Sequence, residues 1–241
     1  MATGSPAIGI QPRSAARPKA DVTGPAIRDH LSPNCGPRRD GLMPSLIVIH
    51  YTAMDSAAAA RDRLCDPEAE VSAHYLIANN GEILRLVPED RRAWHAGAGE
   101  WAGQSDVNSR SIGIELDNTG AHPFSEPQMR ALETLLRQIM TRWNIAPEGV
   151  IGHSDMAPGR KCDPGPRFDW TRLARQGLAR PAGPSATAQD VNENSFRTAA
   201  RAAGFTADAP LNDLLAATRL RFAPWRQGAL HPDDLNLPPL R

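Results

Sequence analysis

The chain has little cysteine and no surplus of either charge. Cys35, Cys65 and Cys162 are scattered and form no CxxC pair. That argues against a disulfide framework and against a thiolate zinc site. They read as free thiols in a reducing compartment. Lysine and arginine number 27, and so do aspartate and glutamate. No basic excess argues for nucleic acid, and no polybasic run for a membrane surface. No stretch approaches the roughly 20 apolar residues of a membrane-spanning helix. Met1-Ala2-Thr3-Gly4-Ser5-Pro6 lacks the basic and apolar regions of a signal peptide. As written, the chain is expected in the cytoplasm; a misassigned start leaves the periplasm or cell envelope open. No internal repeat is present.

What remains is an ordinary globular composition, 41% hydrophobic over 241 residues, enough for one substantial domain and a small appendage. Up to about residue 42 the chain is rich in Pro, Gly, Ala and Arg without a period of 2 or 3.6. It is expected to be a flexible tail and an irregular lead-in. Ser45-Leu46-Ile47-Val48-Ile49-His50 is apolar on both faces and predicts a central strand, with His50 at its end. Asp55 or Ser56 can cap a helix over residues 57–64. Asn79-Asn80-Gly81 predicts a hairpin between strands over 73–78 and 82–87. Ser111 to Asp117 predicts another strand, with Glu115 facing away from Ile114 and Leu116. Ser125-Glu126-Pro127-Gln128 opens a helix whose stripe runs from Met129 to Trp143. Val150-Ile151 returns as a strand to His153, and a shorter helix is predicted over 170–176.

The stretch from Gly152 to Gly165 carries an imidazole, a lysine and a carboxylate, and is broken by two Pro-Gly pairs. Folded back at Pro158-Gly159, it can bring His153 and Asp163 to one metal, with bonds of about 2.0–2.2 Å. Taken alone, the loop is equally compatible with a satisfied strand-end histidine and a solvated Lys161–Asp163 pair. With His50 at another strand end, three ligands and an open position are available, the pattern of a hydrolytic zinc site. Glu115 and Lys161 are the groups at hand to serve as base and as cation facing an oxyanion.

Five blocks in order carry a family resemblance: residues 46–53, 71–77, 93–97 (Ala93-Trp94-His95-Ala96-Gly97), 111–116, and 153–165. They resemble the zinc-dependent N-acetylmuramoyl-L-alanine amidases, which share a fold with the peptidoglycan recognition proteins. The resemblance covers roughly residues 30 to 178. It implies an α/β fold, a mixed β-sheet flanked by helices, with a small C-terminal helical appendage. It implies a hydrolase of peptidoglycan catabolism and turnover. The bond cut would be the amide between N-acetylmuramic acid, or its 1,6-anhydro form, and L-alanine, in peptidoglycan or muropeptides. One zinc per chain would be held by His50, His153 and Asp163. Glu115 would activate water and Lys161 would stabilise the oxyanion. The alternative is a recognition module that binds peptidoglycan without cutting it.

The expected division is a tail over 1–30, a catalytic domain over 31–179, a linker over 180–191 and a helical module over 192–241. That module resembles a peptidoglycan-binding one, but it is short, and Thr218 stands where an aromatic is expected. It is too poor in large apolar side chains to stand alone and is expected to lean on the main domain. Because every candidate catalytic residue precedes the linker, truncation near 180 is expected to spare activity on soluble muropeptides. His74, Trp94 and His95 are the candidate substrate contacts. For His74 a buried structural role competes, and for Trp94 and His95 loop packing does. Cys162 alternates away from its neighbours, which argues against a cysteine nucleophile.

Overall fold

A computed structural model of the protein describes Met1, residues 26–183 and residues 191–240. Much of the expected tail and linker, residues 2–25 and 184–190, lies outside the described residues. Strands β1 (Ile27–Asp29), β3 (Leu46–Tyr51), β4 (Tyr75–Ile77), β5 (Ile83–Arg85), β7 (Ser111–Leu116) and β8 (Val150–Gly152) form one sheet in the order β1-β5-β4-β7-β3-β8. All pairings are parallel except the β4–β5 hairpin. Strands β2 (Cys35–Pro37) and β6 (Arg91–Ala93) pair separately. The sheet therefore begins at Ile27, inside the stretch expected to be a tail. A three-residue edge strand has no periodicity to announce it.

Parallel strands need crossovers, and the helices that make them cover the faces. Helix α1 (Ala57–Cys65) starts at Ser56, whose hydroxyl accepts from the Ala59 amide. A single turn, α2 (Val107–Arg110), precedes β7. Helix α3 (Glu126–Trp143) starts at Ser125, with proline in its first turn. Leu132, Leu135, Leu136 and Ile139 of α3 bury against Ile47, Ile49, Ile112 and Ile114, the residues on one side of β3 and β7. This is the first face of the sheet; α3 dominates it, joined by Trp170 and Leu173 of the short helix α5 (Trp170–Arg175).

The second face is shared. Near β4, Leu76 packs with Ala60, Leu64 and Leu86. At the other end, Leu46, Val48 and Ile151 pack against α6 (Glu193–Ala202) and α7 (Leu211–Phe222), through Phe196, Leu214 and Leu215. The C-terminal helices are thus a layer of the sheet. Backbone bonds strengthen the seam, with Ala102 N donating to Gly204 O at 2.9 Å and the Trp101 and Phe205 rings 5.1 Å apart. Arg180, expected in the linker, is buried and donates to the Ala203 and Pro238 carbonyls. Between the two groups of cover lies a gap over the carboxyl ends of β3 and β7.

Candidate active site

Register explains what meets in that gap. His50 of β3 pairs with Glu115 of β7, and Glu115 pairs on its other side with Leu76 of β4. Side chains level on neighbouring strands stand about 4.8 Å apart on the same face. On β7 this face reads Ser111, Gly113, Glu115, and the missing side chain at Gly113 is needed: a Cβ there would come 2.4 Å from the His95 ring. Strand β8 pairs Gly152 with Ile49, so His153 emerges beside His50. It opens the single helical turn α4 (His153–Met156), after which the chain folds back. Gly159 has φ +74°, the Arg160 and Lys161 amides return to the Ala157 carbonyl, and Ser154 N donates to Asp163 O at 3.0 Å. The loop closes as its two Pro-Gly pairs predict, and Asp163 arrives at both histidines.

His50 Nδ1, His153 Nδ1 and Asp163 Oδ2 converge, with separations of 2.9 Å between the two nitrogens and 2.9 and 3.1 Å from the oxygen to them. All three residues are buried. The outer partners fix which nitrogens carry protons. The Val107 carbonyl can only accept, so the Ser111 hydroxyl donates to it at 2.6 Å. Ser111 Oγ then accepts from His95 Nε2 at 3.1 Å, which leaves His95 Nδ1 bare to accept from His50 Nε2 at 3.0 Å. His50 Nδ1 is therefore a lone pair. The Ala96 carbonyl accepts from His153 Nε2 at 2.9 Å, so His153 Nδ1 is bare as well. Two lone pairs and a carboxylate oxygen face one another, which is unfavourable without a cation among them. Two imidazoles and one carboxylate, each held from behind, make a donor set suited to zinc.

Protonation agrees with this. Burial, reinforced by His153, lowers His50 to about 4, and burial holds His95 well below an ordinary histidine. Glu115 goes the other way. Burial beside Leu76, with the negative charge of Asp163, pushes it up to about 8, while Lys161 opposes. Its Oε2 is buried with no hydrogen-bond partner.

A cleft of about 380 Å³ opens over this centre. His50, His153, Asp163, Glu115, Lys161, Trp94 and His95 all line it. His74 does not. It is fully enclosed, with Nδ1 accepting from Gly113 N at 2.9 Å and Nε2 donating to Arg91 O at 3.1 Å. Its place among the substrate contacts is corrected accordingly: it ties β7 to β6, and burial lowers it to about 3. Cys162 is exposed, its sulfur 3.2 Å from the Tyr51 hydroxyl. Sequence reasoning missed Arg160, which lines the cleft and donates to the Ala96 carbonyl at 2.7 Å. Its place in the Pro158-Gly159 turn was the available signal. It missed Ser111 entirely.

A mixed sheet with a buried His/His/carboxylate cluster at its strand ends, beneath a cleft holding a further carboxylate and a lysine, defines a hydrolase of the metal-site type. The Amidase_2 family, N-acetylmuramoyl-L-alanine amidase, matches residues 40–166. The chain belongs to this family. It is 42% identical over 191 residues to the N-acetylmuramoyl-L-alanine amidase AmiD of Escherichia coli, an alignment covering 71% of this chain and 64% of AmiD. The structure of AmiD with anhydro-N-acetylmuramic acid-L-Ala-D-γ-Glu-L-Lys superposes with a TM-score of 0.72 at 31% identity, over 82% of this chain and 89% of that one. The 1,6-anhydro-N-acetylmuramyl-L-alanine amidase AmpD of Citrobacter freundii is 37% identical over 59% of this chain and 85% of its own length. AmpDh3 of Pseudomonas aeruginosa, in complex with an anhydromuramic pentapeptide, superposes with a TM-score of 0.68 at 30% identity, over 82% of this chain and 90% of that one. These relatives favour the catalytic reading over a binding module. Among the described residues no helix is long and apolar enough to cross a membrane.

Proposed function

We propose that this chain hydrolyses the amide between the lactyl carbonyl of muramic acid and the nitrogen of L-alanine, with soluble 1,6-anhydro-muropeptides as its preferred substrates. The carrying observation is the convergence of His50, His153 and Asp163 beneath a cleft that also holds Glu115 and Lys161. The three clustered residues would hold one zinc ion. When bound, zinc supplies Lewis acidity, polarising a carbonyl oxygen and making water more acidic. Glu115, whose buried Oε2 has no hydrogen-bond partner, takes the proton from the attacking water in its ionised form. It then passes that proton to the alanine nitrogen as the C–N bond breaks. The Lys161 ammonium faces the carbonyl oxygen as that oxygen gains negative charge. Trp94 and His95 border the space left for substrate. Catalysis is assigned to the unit expected over 31–179, extended back to β1, with the C-terminal helices as its cover.

The test is a digest of muropeptides with ordinary and anhydro ends, with and without chelator. Release of the stem peptide, faster from anhydro ends and abolished by chelation, is expected; binding without release would replace this reading with a recognition module. Glu115→Gln is expected to retain zinc and fold and to lose turnover by about 10²–10⁴-fold. Lys161→Met should lose kcat more than KM, because its charge serves the transition state. Metal content, circular dichroism and kcat on one defined muropeptide decide both. Near-normal kcat in the zinc-loaded Glu115 variant would place the base elsewhere.

A further inference from the structure

Helix α7 sends a buried arginine into the back of the ligand loop. Arg221 is 5% exposed. One nitrogen reaches Asp155 Oδ2 at 3.2 Å and the other donates to the Val150 carbonyl at 2.9 Å. The guanidinium carbon lies 3.6 Å from the centre of the Trp170 ring. These contacts bracket the metal loop in sequence: Val150 begins the strand that delivers His153, Asp155 lies in the turn that holds it, and Trp170 follows Asp163.

The contact with Asp155 matters most. The same Oδ2 accepts from Gly152 N at 2.8 Å, pinning the junction at which strand becomes helix. The direction in which His153 leaves the sheet is set at that junction. Asp155 is itself buried, and a buried carboxylate holds a fixed geometry only where a cation or donors compensate it. Arg221 is the cation paired with it. The same helix also presses on the fold-back: a Cβ on Gly159 would come 2.5 Å from Asp213 Oδ2. Among the described residues, strand β8 ends the sheet and pairs with β3 alone, with no further strand to support it. Arg221 takes that place.

We propose that Arg221 is a positioning residue, acting through Asp155 and the Gly152 junction to aim His153 at the metal site. The C-terminal helices thereby tune metal affinity in addition to covering the core. This rests on the metal site proposed above. Groups behind a metal ligand are worth about 10–100-fold in affinity. Arg221 acts one residue further out, so the lower end, about tenfold, is expected.

The experiment compares Arg221→Lys and Arg221→Met with Arg219→Met. Arg219 is a neighbour on the same helix, and its buried guanidinium bonds Asp234 and the Gly228 and Ala229 carbonyls, away from the ligand loop. Arg221→Lys keeps a charge beside Asp155 but cannot also span to Val150 and cover Trp170; it stands in if the Met variant fails to fold. Two quantities are read on full-length protein: the zinc dissociation constant by chelator competition, and hydrogen exchange of the Gly152 amide in metal-free protein. Weaker zinc binding by about tenfold and faster Gly152 exchange in the Arg221 variants, with neither in Arg219→Met despite a lower Tm, are expected. Zinc affinity and Gly152 exchange within twofold of the parent in a folded Arg221 variant would overturn the proposal. Equal losses in Arg219→Met would do so too, by showing general loosening. A parent protein that binds no zinc would sink the metal site, while Gly152 exchange would still decide whether Arg221 holds the junction.

Discussion

Ser111 decides which nitrogen of His50 faces His153 and Asp163, although it touches none of the three clustered residues. Its hydroxyl, committed to the Val107 carbonyl, passes a preference through His95 to His50. Ser111→Ala frees His95 to take either tautomer. The expected result is zinc binding about tenfold weaker with the fold intact, read by chelator competition and circular dichroism. Unchanged affinity would mean that His50 needs no such direction. His50, His153, Asp163, Glu115 and Lys161 stood out in the sequence because strand ends, alternation and Pro-Gly breakers leave a trace in residue order. Ser111 and the Ala96 carbonyl did not, because a bond to a backbone oxygen leaves none. His74 sat in a promising block for another reason, since a histidine that bonds two backbone groups looks in sequence like one that meets substrate.

Among the elements, α3 was legible from end to end, because its cap, its proline and its stripe agree. Helix α7 was legible only in outline. Its arginines carry no signal of their burial in the sequence, yet Arg219 and Arg221 are buried beside Asp234 and Asp155, partners that no local pattern reveals. The end of α3 supplies a prediction. Glu89, in the turn between β5 and β6, accepts from Arg142 and Trp143 of α3 and from the Tyr75 hydroxyl. Burial raises its carboxyl, but those hydrogen bonds outweigh burial and the net shift is downward. A carboxylate lowered on folding contributes stability above its unfolded value, about 4.3. The contribution is lost as pH falls through the lower folded value. Since Arg142 is half exposed, Glu89→Gln is expected to cost about 1–2 kcal/mol at pH 7. For a chain of this size that is a Tm lower by roughly 2–8 °C. Thermal melts of both proteins from pH 7 downward should show the gap closing below about pH 4. A gap that persisted would mean that the Glu89 charge contributes nothing.

For the whole molecule, the packing changes the expectation that truncation near residue 180 spares activity. Removing α6 and α7 uncovers Leu46, Val48, Ile151 and Met156, all buried beneath them. Each loses about 1.5–3 kcal/mol of burial if fully exposed, a sum comparable to the whole stability of a domain. A chain ending near 180 is expected to be aggregated or unfolded and inactive on soluble muropeptides, as sedimentation and stem-peptide release would show. A soluble, active truncation would demote the helices to an accessory. The arrangement also has a consequence in time. His50 and His153 are 103 positions apart, and Arg221 follows Asp155 by 66. A ribosome adding roughly 5–20 residues per second takes about 3–13 s to cover that last interval. While it does, the nascent chain holds His50, His153 and Asp163 without the arginine that pairs with Asp155. The residues of the cluster are thus all made before the helix that steadies them, and the Gly152 junction gains its Arg221 support only when α7 docks.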